Sequence, residues 1–134
     1  MSYPRLLADI GGTNARFAML YAGRTMPSEV AVLPCRDHSS LLDAICGYLA
    51  QHTVVAPRWC AIGIATAVTG DWVSMTNHPW AFSIQELKAA LALERLVVIN
   101  DFTALALALP QLREDDLRAI GKGDAKPHAA KALL

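Results

Sequence analysis

The chain has 134 residues, enough for one domain with a real core, and its 12 lysines and arginines balance 12 aspartates and glutamates, which excludes the electrostatic footprint of a nucleic-acid-binding protein. No apolar run reaches the length of a membrane span, and Asp9 interrupts the short N-terminal one before it could read as a secretory signal. Hydrophobic residues make up 54% of the chain, high for a small soluble domain, so some apolar surface is expected to be hidden against something this chain does not contain.

The first element is an apolar run, Leu6-Leu7-Ala8-Asp9-Ile10, broken by Gly11-Gly12-Thr13-Asn14 and resumed over 15–21. Two apolar runs separated by glycines predict a β-hairpin. Glycine tolerates positive φ and has no Cβ, so the turn can point backbone N–H groups outward, where phosphate oxygens are suited to them. Thr13 and Asn14 add side-chain donors, and Asp9 is placed to hold a magnesium ion directly or through water. The same residues also suit an ordinary Gly-Gly hairpin with a buried or capping Asp. A turn at Ala22-Gly23-Arg24 and a strand over 29–33, closed by Pro34, complete an antiparallel meander.

A helix follows, capped by Ser39 or Ser40, with Leu42, Ile45 and Leu49 at helical spacing and an end near Gln51-His52. Residues 59–66 are nearly all apolar, as expected of a strand in the middle of a sheet. After a turn at Thr69-Gly70-Asp71 come a short strand over 72–75 and an irregular loop, Thr76-Asn77-His78-Pro79-Trp80-Ala81-Phe82. Trp80 and Phe82 suit either the core or the apolar face of a sugar ring; His78 reads as a structural or supporting donor. Ser83-Ile84-Gln85-Glu86 is a capping box, with Ile84, Leu87 and Leu91 on the buried side of the helix it opens.

A strand over 95–99 ends in Asn100-Asp101, and residues 102–109 are apolar all round up to Pro110, which predicts a short helix buried on every side. Beyond it the composition turns polar and no complete element is visible. Cys35, Cys46 and Cys60 share no metal-like spacing and read as reduced, mostly buried thiols of a cytoplasmic protein. His38, His52 and His128 have no partner visible in the sequence and read as surface groups. A meander followed by helix-linked strands makes an α/β domain with a mixed sheet. A dinucleotide-binding fold is a poor fit, because the glycines lie between two strands and not at a strand-to-helix turn.

Asn100-Asp101 is the second candidate site. It stands at the carboxyl end of a central strand, where open α/β sheets bind ligands. A helix N-terminus favours the anionic form of Asp101 by about 0.3–1 kcal/mol, leaving it ready to accept a proton from a bound hydroxyl. Asn100 offers a donor and an acceptor to vicinal sugar hydroxyls. The competing reading makes Asp101 a plain helix cap. A phosphate-holding turn and a hydroxyl-binding Asn-Asp are the parts that phosphoryl transfer requires.

Three stretches carry a resemblance. Leu7-Ala8-Asp9-Ile10-Gly11-Gly12-Thr13-Asn14-Ala15-Arg16 resembles the first phosphate motif of bacterial glucokinases, in the sugar-kinase, Hsp70 and actin superfamily. Thr69-Gly70-Asp71-Trp72-Val73-Ser74-Met75-Thr76-Asn77-His78 with Trp80-Ala81-Phe82-Ser83, and then Val98-Ile99-Asn100-Asp101-Phe102-Thr103-Ala104, resemble the stretches that follow in the same proteins. The resemblance implies a ribonuclease H-like (actin-like ATPase) small domain over 1–110, with 111–134 opening a connection into a larger domain outside this chain.

It implies ATP-dependent phosphorylation of glucose at the 6-hydroxyl, giving glucose 6-phosphate and ADP. In that reaction Asp9 helps place Mg²⁺, Gly11, Gly12, Thr13 and Asn14 surround the ATP phosphates, Asn100 binds glucose, and Asp101 binds the 6-hydroxyl and takes its proton. No nucleic-acid or membrane partner is implied, and the full-length protein is open to homodimerisation. One departure is Thr66-Ala67-Val68 where the family has Cys-Pro-Ile. Family members are more than twice as long, and the second phosphate loop and adenosine pocket would lie past Leu134, so this chain alone is expected to be inactive. Two alternatives are a sugar sensor without catalysis, disfavoured by the lack of a basic stripe or a preceding DNA-binding segment, and a nucleotide-binding domain that only recruits a partner.

Overall fold

A computed structural model describes residues 2–52 and 55–124. Five strands form one mixed sheet: β1 (Arg5–Ile10), β2 (Asn14–Leu20), β3 (Ser28–Pro34), β4 (Trp59–Ile64) and, after a separate hairpin, β7 (Arg95–Asn100). Their spatial order is β3-β2-β1-β4-β7. β1, β2 and β3 run antiparallel as the expected meander, whereas β1, β4 and β7 are parallel. β4 is paired on both sides, as its apolar run requires, but β1 holds the centre of the sheet. The hairpin, β5 (Trp72–Ser74) with β6 (Ala81–Ser83), lies outside the main sheet.

Strand alternation sorts the sheet into two unlike faces. Leu6, Ile10, Ala15, Phe17, Met19, Cys60, Ile62 and Ile64 are buried on one of them, under α1 (Leu41–His52) and α2 (Ile84–Ala90). Phe17 stacks on Tyr48 of α1 with ring centroids 5.3 Å apart. Burying a side chain of this size is worth about 1.5–3 kcal/mol, so this face is where the fold is secured. α1 turns Leu41, Ala44, Ile45 and Tyr48 inward, with Leu42 and Leu49 only half-buried. The expected stripe was therefore rotated by about one residue, because Tyr48 reaches the sheet and donates to the Glu29 carbonyl at 2.7 Å. α2 starts as predicted, with Ser83 Oγ accepting from the Glu86 N–H.

The second face carries Arg5, Leu7, Asp9, Ala61, Gly63 and Val97, and only α3 (Asp101–Ala108) covers part of it. Gly63 admits that helix: a Cβ there would sit 3.5 Å from the Ala104 Cβ. Here one expectation is corrected. α3 buries no residue, and Phe102 and Leu107 are each 66% exposed. Its all-round apolar sequence needs cover on every side, and one sheet face supplies it on one side only.

The remaining corrections are local. Cys35 and Cys60 are buried free thiols, burial raising both and pushing Cys60 up to about 12, whereas Cys46 is exposed. His38 is paired with Asp43 at 3.2 Å, and His52 stacks on Tyr48. His128 lies outside the described residues, as do the last ten positions. Past α3 the described chain makes only two 3-10 turns, Leu109–Gln111 and Glu114–Asp116. No helix among the described residues is long and apolar enough to cross a membrane.

Candidate active site

The parallel strands bring the two sequence motifs to one edge of the sheet. Ile10, Ile64 and Asn100 form one row across β1, β4 and β7, and Asp9, Gly63 and Ile99 form the row before it. Gly11, Ala65 and Asp101 therefore leave the sheet side by side, and the Ala65 N–H donates to the Ile10 carbonyl at 2.9 Å. Asp9 belongs to the half-covered face, and α3, which begins at Asp101, packs over Gly63 on that same face. Asp9 and Asp101 are thus on one side of the sheet with a single strand between them. At about 4.8 Å per strand, their backbones are separated laterally by about 10 Å.

The turn at Gly11-Gly12-Thr13-Asn14 closes with a Gly11 N–H bond to the Asn14 carbonyl, 2.9 Å. Neither glycine has positive φ, so the glycines serve close approach and not left-handed backbone. A Cβ on Gly12 would lie 3.1 Å from Asn77 Nδ2, and one on Gly11 would lie 3.3 Å from the Asn14 oxygen. Two outside donors hold the turn: the Cys35 N–H to the Thr13 carbonyl at 2.8 Å, and His78 Nε2 to the Gly11 carbonyl at 3.2 Å. Thr13 and Asn14 are exposed. With Gly12, Arg36, Asn77 and His78 they line a cleft of about 400 Å³.

Asn100 and Asp101 line a second, more open groove of about 450 Å³ together with 65–69 and Phe102. The cap of α3 is Asn100, whose Oδ1 accepts from the Phe102 N–H at 3.1 Å. Its Nδ2 donates to the Thr66 carbonyl at 2.9 Å, with the Ile64 carbonyl a weaker second acceptor at 3.5 Å. An amide of this kind has two lone pairs and two N–H groups, so one acceptor site and most of one donor remain for a ligand. Asp101 is the first helical residue, and one carboxylate oxygen takes the Phe102 N–H at 2.8 Å. Its other oxygen has no hydrogen bond among the described residues and can accept one from a ligand. The turn and the Asn-Asp pair thus lie in neighbouring depressions and do not share one enclosed cleft; Asp9 lines neither.

Asp9 is exposed, faces Arg16 across β1 and β2, and has no hydrogen bond or ion pair among the described residues. No group of three His, Cys, Asp or Glu side chains among them could hold a metal alone. A lone carboxylate could hold Mg²⁺ only together with waters and a ligand's phosphates, which is how that ion is usually bound.

The 76–82 loop behaves differently from its aromatic composition. Trp80 is buried and donates from Nε1 to the His38 carbonyl at 3.1 Å, so it serves the core, and Phe82 is half-buried. Asp71 was not singled out by the sequence. Its carboxylate accepts from Ser83 Oγ at 2.5 Å and from the Gln85 N–H at 2.9 Å, which holds it below the usual carboxylate range and ties the 69–71 turn to the start of α2.

The strand order, the phosphate-type hairpin and the acid at the end of β7 define a small domain of the actin-like ATPase type. The sequence model of the glucokinase family matches residues 6–134. Relatives include glucokinases of Aromatoleum aromaticum, 51% identical over 99% of this chain, and of Neisseria meningitidis, 48% identical over 98%; in each case 40% of the relative is covered. A glucokinase crystal structure from an Antarctic psychrotroph superposes with a TM-score of 0.84 at 36% identity, over 92% of this chain and 40% of that one. A Streptomyces griseus ROK family glucokinase, in complex with glucose and AMPPNP, shares the fold at 20% identity with a TM-score of 0.54, over 78% of this chain and 35% of that one. The chain belongs to the glucokinase family, and it spans 40% of the length of the curated relatives it matches.

Proposed function

We propose that this chain is the N-terminal part of an ATP-dependent glucokinase, which moves the γ-phosphoryl group of ATP to the 6-hydroxyl of glucose. Residues 1–110 form the small domain, and 111–134 open the connection to a larger one. The observation that carries the reading is the common edge: the Gly11 turn and the free Asp9 carboxylate of β1 and the Asp101 that follows β7, one strand away, stand at the same end of the parallel strands. The glucokinase name of the relatives supports the substrate pair.

In this mechanism Gly11, Gly12, Thr13 and Asn14 surround the phosphates of ATP. Asp9 would hold Mg²⁺, most readily through water, and the bound ion would neutralise phosphate charge. Asn100 keeps the 65–69 segment against α3 and uses its remaining hydrogen-bonding capacity on glucose. Asp101 accepts the 6-hydroxyl proton as that oxygen bonds to the γ-phosphorus and the bond to the β-phosphate oxygen of ADP breaks. The 134 residues supply one wall of a site that this superfamily closes with two domains, so the chain alone is without useful turnover.

The full-length protein is a soluble cytoplasmic enzyme in this reading, open to homodimerisation. Its test is glucose 6-phosphate formation from glucose, ATP and Mg²⁺, read through a coupled dehydrogenase. ADP release that depends on glucose supports the reading; nucleotide and sugar binding without any product points to the sensor alternative and overturns it.

A further inference from the structure

We propose that His78 is a positioning residue that clamps the phosphate turn through the Gly11 carbonyl. The inference rests on reading the 11–14 turn as the phosphate subsite. The turn has one internal backbone bond, from the Gly11 N–H to the Asn14 carbonyl. Two adjacent glycines restrain it little by themselves. Its shape must therefore be imposed from outside, and the donors that do so come from residues 24 and 67 positions away.

His78 Nε2 lies 3.2 Å from the Gly11 oxygen. A carbonyl only accepts, so the proton sits on Nε2, and the ring is assigned that tautomer. The peptide bond joining Gly11 to Gly12 is planar, with its carbonyl and N–H pointing in opposite directions. Fixing the Gly11 oxygen therefore aims the Gly12 N–H, one of the donors a phosphate would meet. The Cys35 thiol, 3.8 Å from the same oxygen, is a weak second donor. The Cys35 N–H secures Thr13, so His78 is the strong hold on the glycine half of the turn.

The clamp is itself held. The His78 ring meets Trp80 edge-on at 4.8 Å and 87°. Trp80 is tied to the His38 carbonyl, and its own carbonyl accepts from the Met75 N–H at 2.9 Å. His38 pairs with Asp43 in the first turn of α1. The Nδ1 atom of His78 is buried without a partner among the described residues, where the ring's one hydrogen bond goes to Gly11. The preceding residue in the same loop, Asn77, presses on the turn where Gly12 has no Cβ.

The test uses the full-length protein with His78→Phe, His78→Gln and His78→Asn. Phe keeps the ring against Trp80 and loses the donor, Gln places an N–H at the reach of Nε2, and Asn falls short of it. Affinity for a non-hydrolysable ATP analogue with Mg²⁺ and kcat/KM for ATP should fall about tenfold in H78F and H78N, the equivalent of one hydrogen bond. H78Q should stay within threefold of the parent, and glucose affinity within twofold in all three. Nucleotide affinity unchanged in H78F, nucleotide and glucose affinity falling together, or H78Q behaving like H78F would each overturn the clamp. If H78F does not fold, H78Q against H78N decides alone. A parent that binds the analogue yet phosphorylates no sugar removes the kinase reading, while the parent-to-variant ratio still decides the clamp. A parent that binds no nucleotide overturns both.

Discussion

Replacing Asn100 by Ala removes two bonds at once, and their sizes can be worked out separately. Oδ1 caps α3 at the Phe102 N–H, a donor it shares with Asp101 Oδ1, so loss of this cap costs about 0.5 kcal/mol, the low end for a helix cap. Nδ2 holds the Thr66 carbonyl at 2.9 Å, and a hydrogen bond of this kind contributes about another 1 kcal/mol. The sum, about 1.5 kcal/mol, corresponds to a midpoint lower by roughly 5–8 °C, taking about 3–5 °C per kcal/mol for a domain of this length. Asn100→Ser separates the terms, because the serine hydroxyl can still cap but cannot span to Thr66; it should lose about two-thirds as much. Thermal unfolding followed by tryptophan fluorescence measures all three proteins. An Ala variant within about 1 °C of the parent, or a Ser variant as weak as the Ala variant, would refute the two-bond account of this residue.

Asp71 predicts an acid dependence. Its folded pKa is depressed by the Ser83 and Gln85 bonds, so the stability it contributes is present above the unfolded value of about 3.9 and is lost as pH falls below it. The midpoint difference between parent and Asp71→Asn, followed from pH 7 to pH 3, should therefore shrink at the acid end; a constant difference contradicts the assignment. Tyr48→Phe removes the part-buried bond to the Glu29 carbonyl and should cost about 1 kcal/mol in urea unfolding, against no change if that carbonyl finds water instead. Burial, with the Glu29 and Tyr21 charges, pushes the Tyr48 phenol up to about 12, so in the parent this bond persists through mildly alkaline conditions.

The sequence made legible whatever depends on near neighbours. The meander, the turn at Gly11-Gly12, the capping box at Ser83 and the end of β7 at Asn100 all follow from patterns a few residues long, and the structure has each of them. The role of the glycines was only half legible: closeness to Asn77 decides it, and that contact spans 65 positions. The same distance in sequence hid the ties from His78 to Gly11, from Trp80 to His38 and from Asp71 to α2. α3 was misjudged for another reason. Apolar periodicity reports the surroundings a helix was selected for, and the described residues supply only one side of them.

Exchanging a single oxygen for an amide at Asp101 tests the chemistry at its centre. In the full-length protein, Asp101→Asn should keep glucose affinity within a few-fold of the parent while kcat falls by about 10²–10⁴-fold, the range general-base removal produces. A variant that phosphorylates glucose as fast as the parent would contradict the assignment of Asp101 as the group that receives the hydroxyl proton.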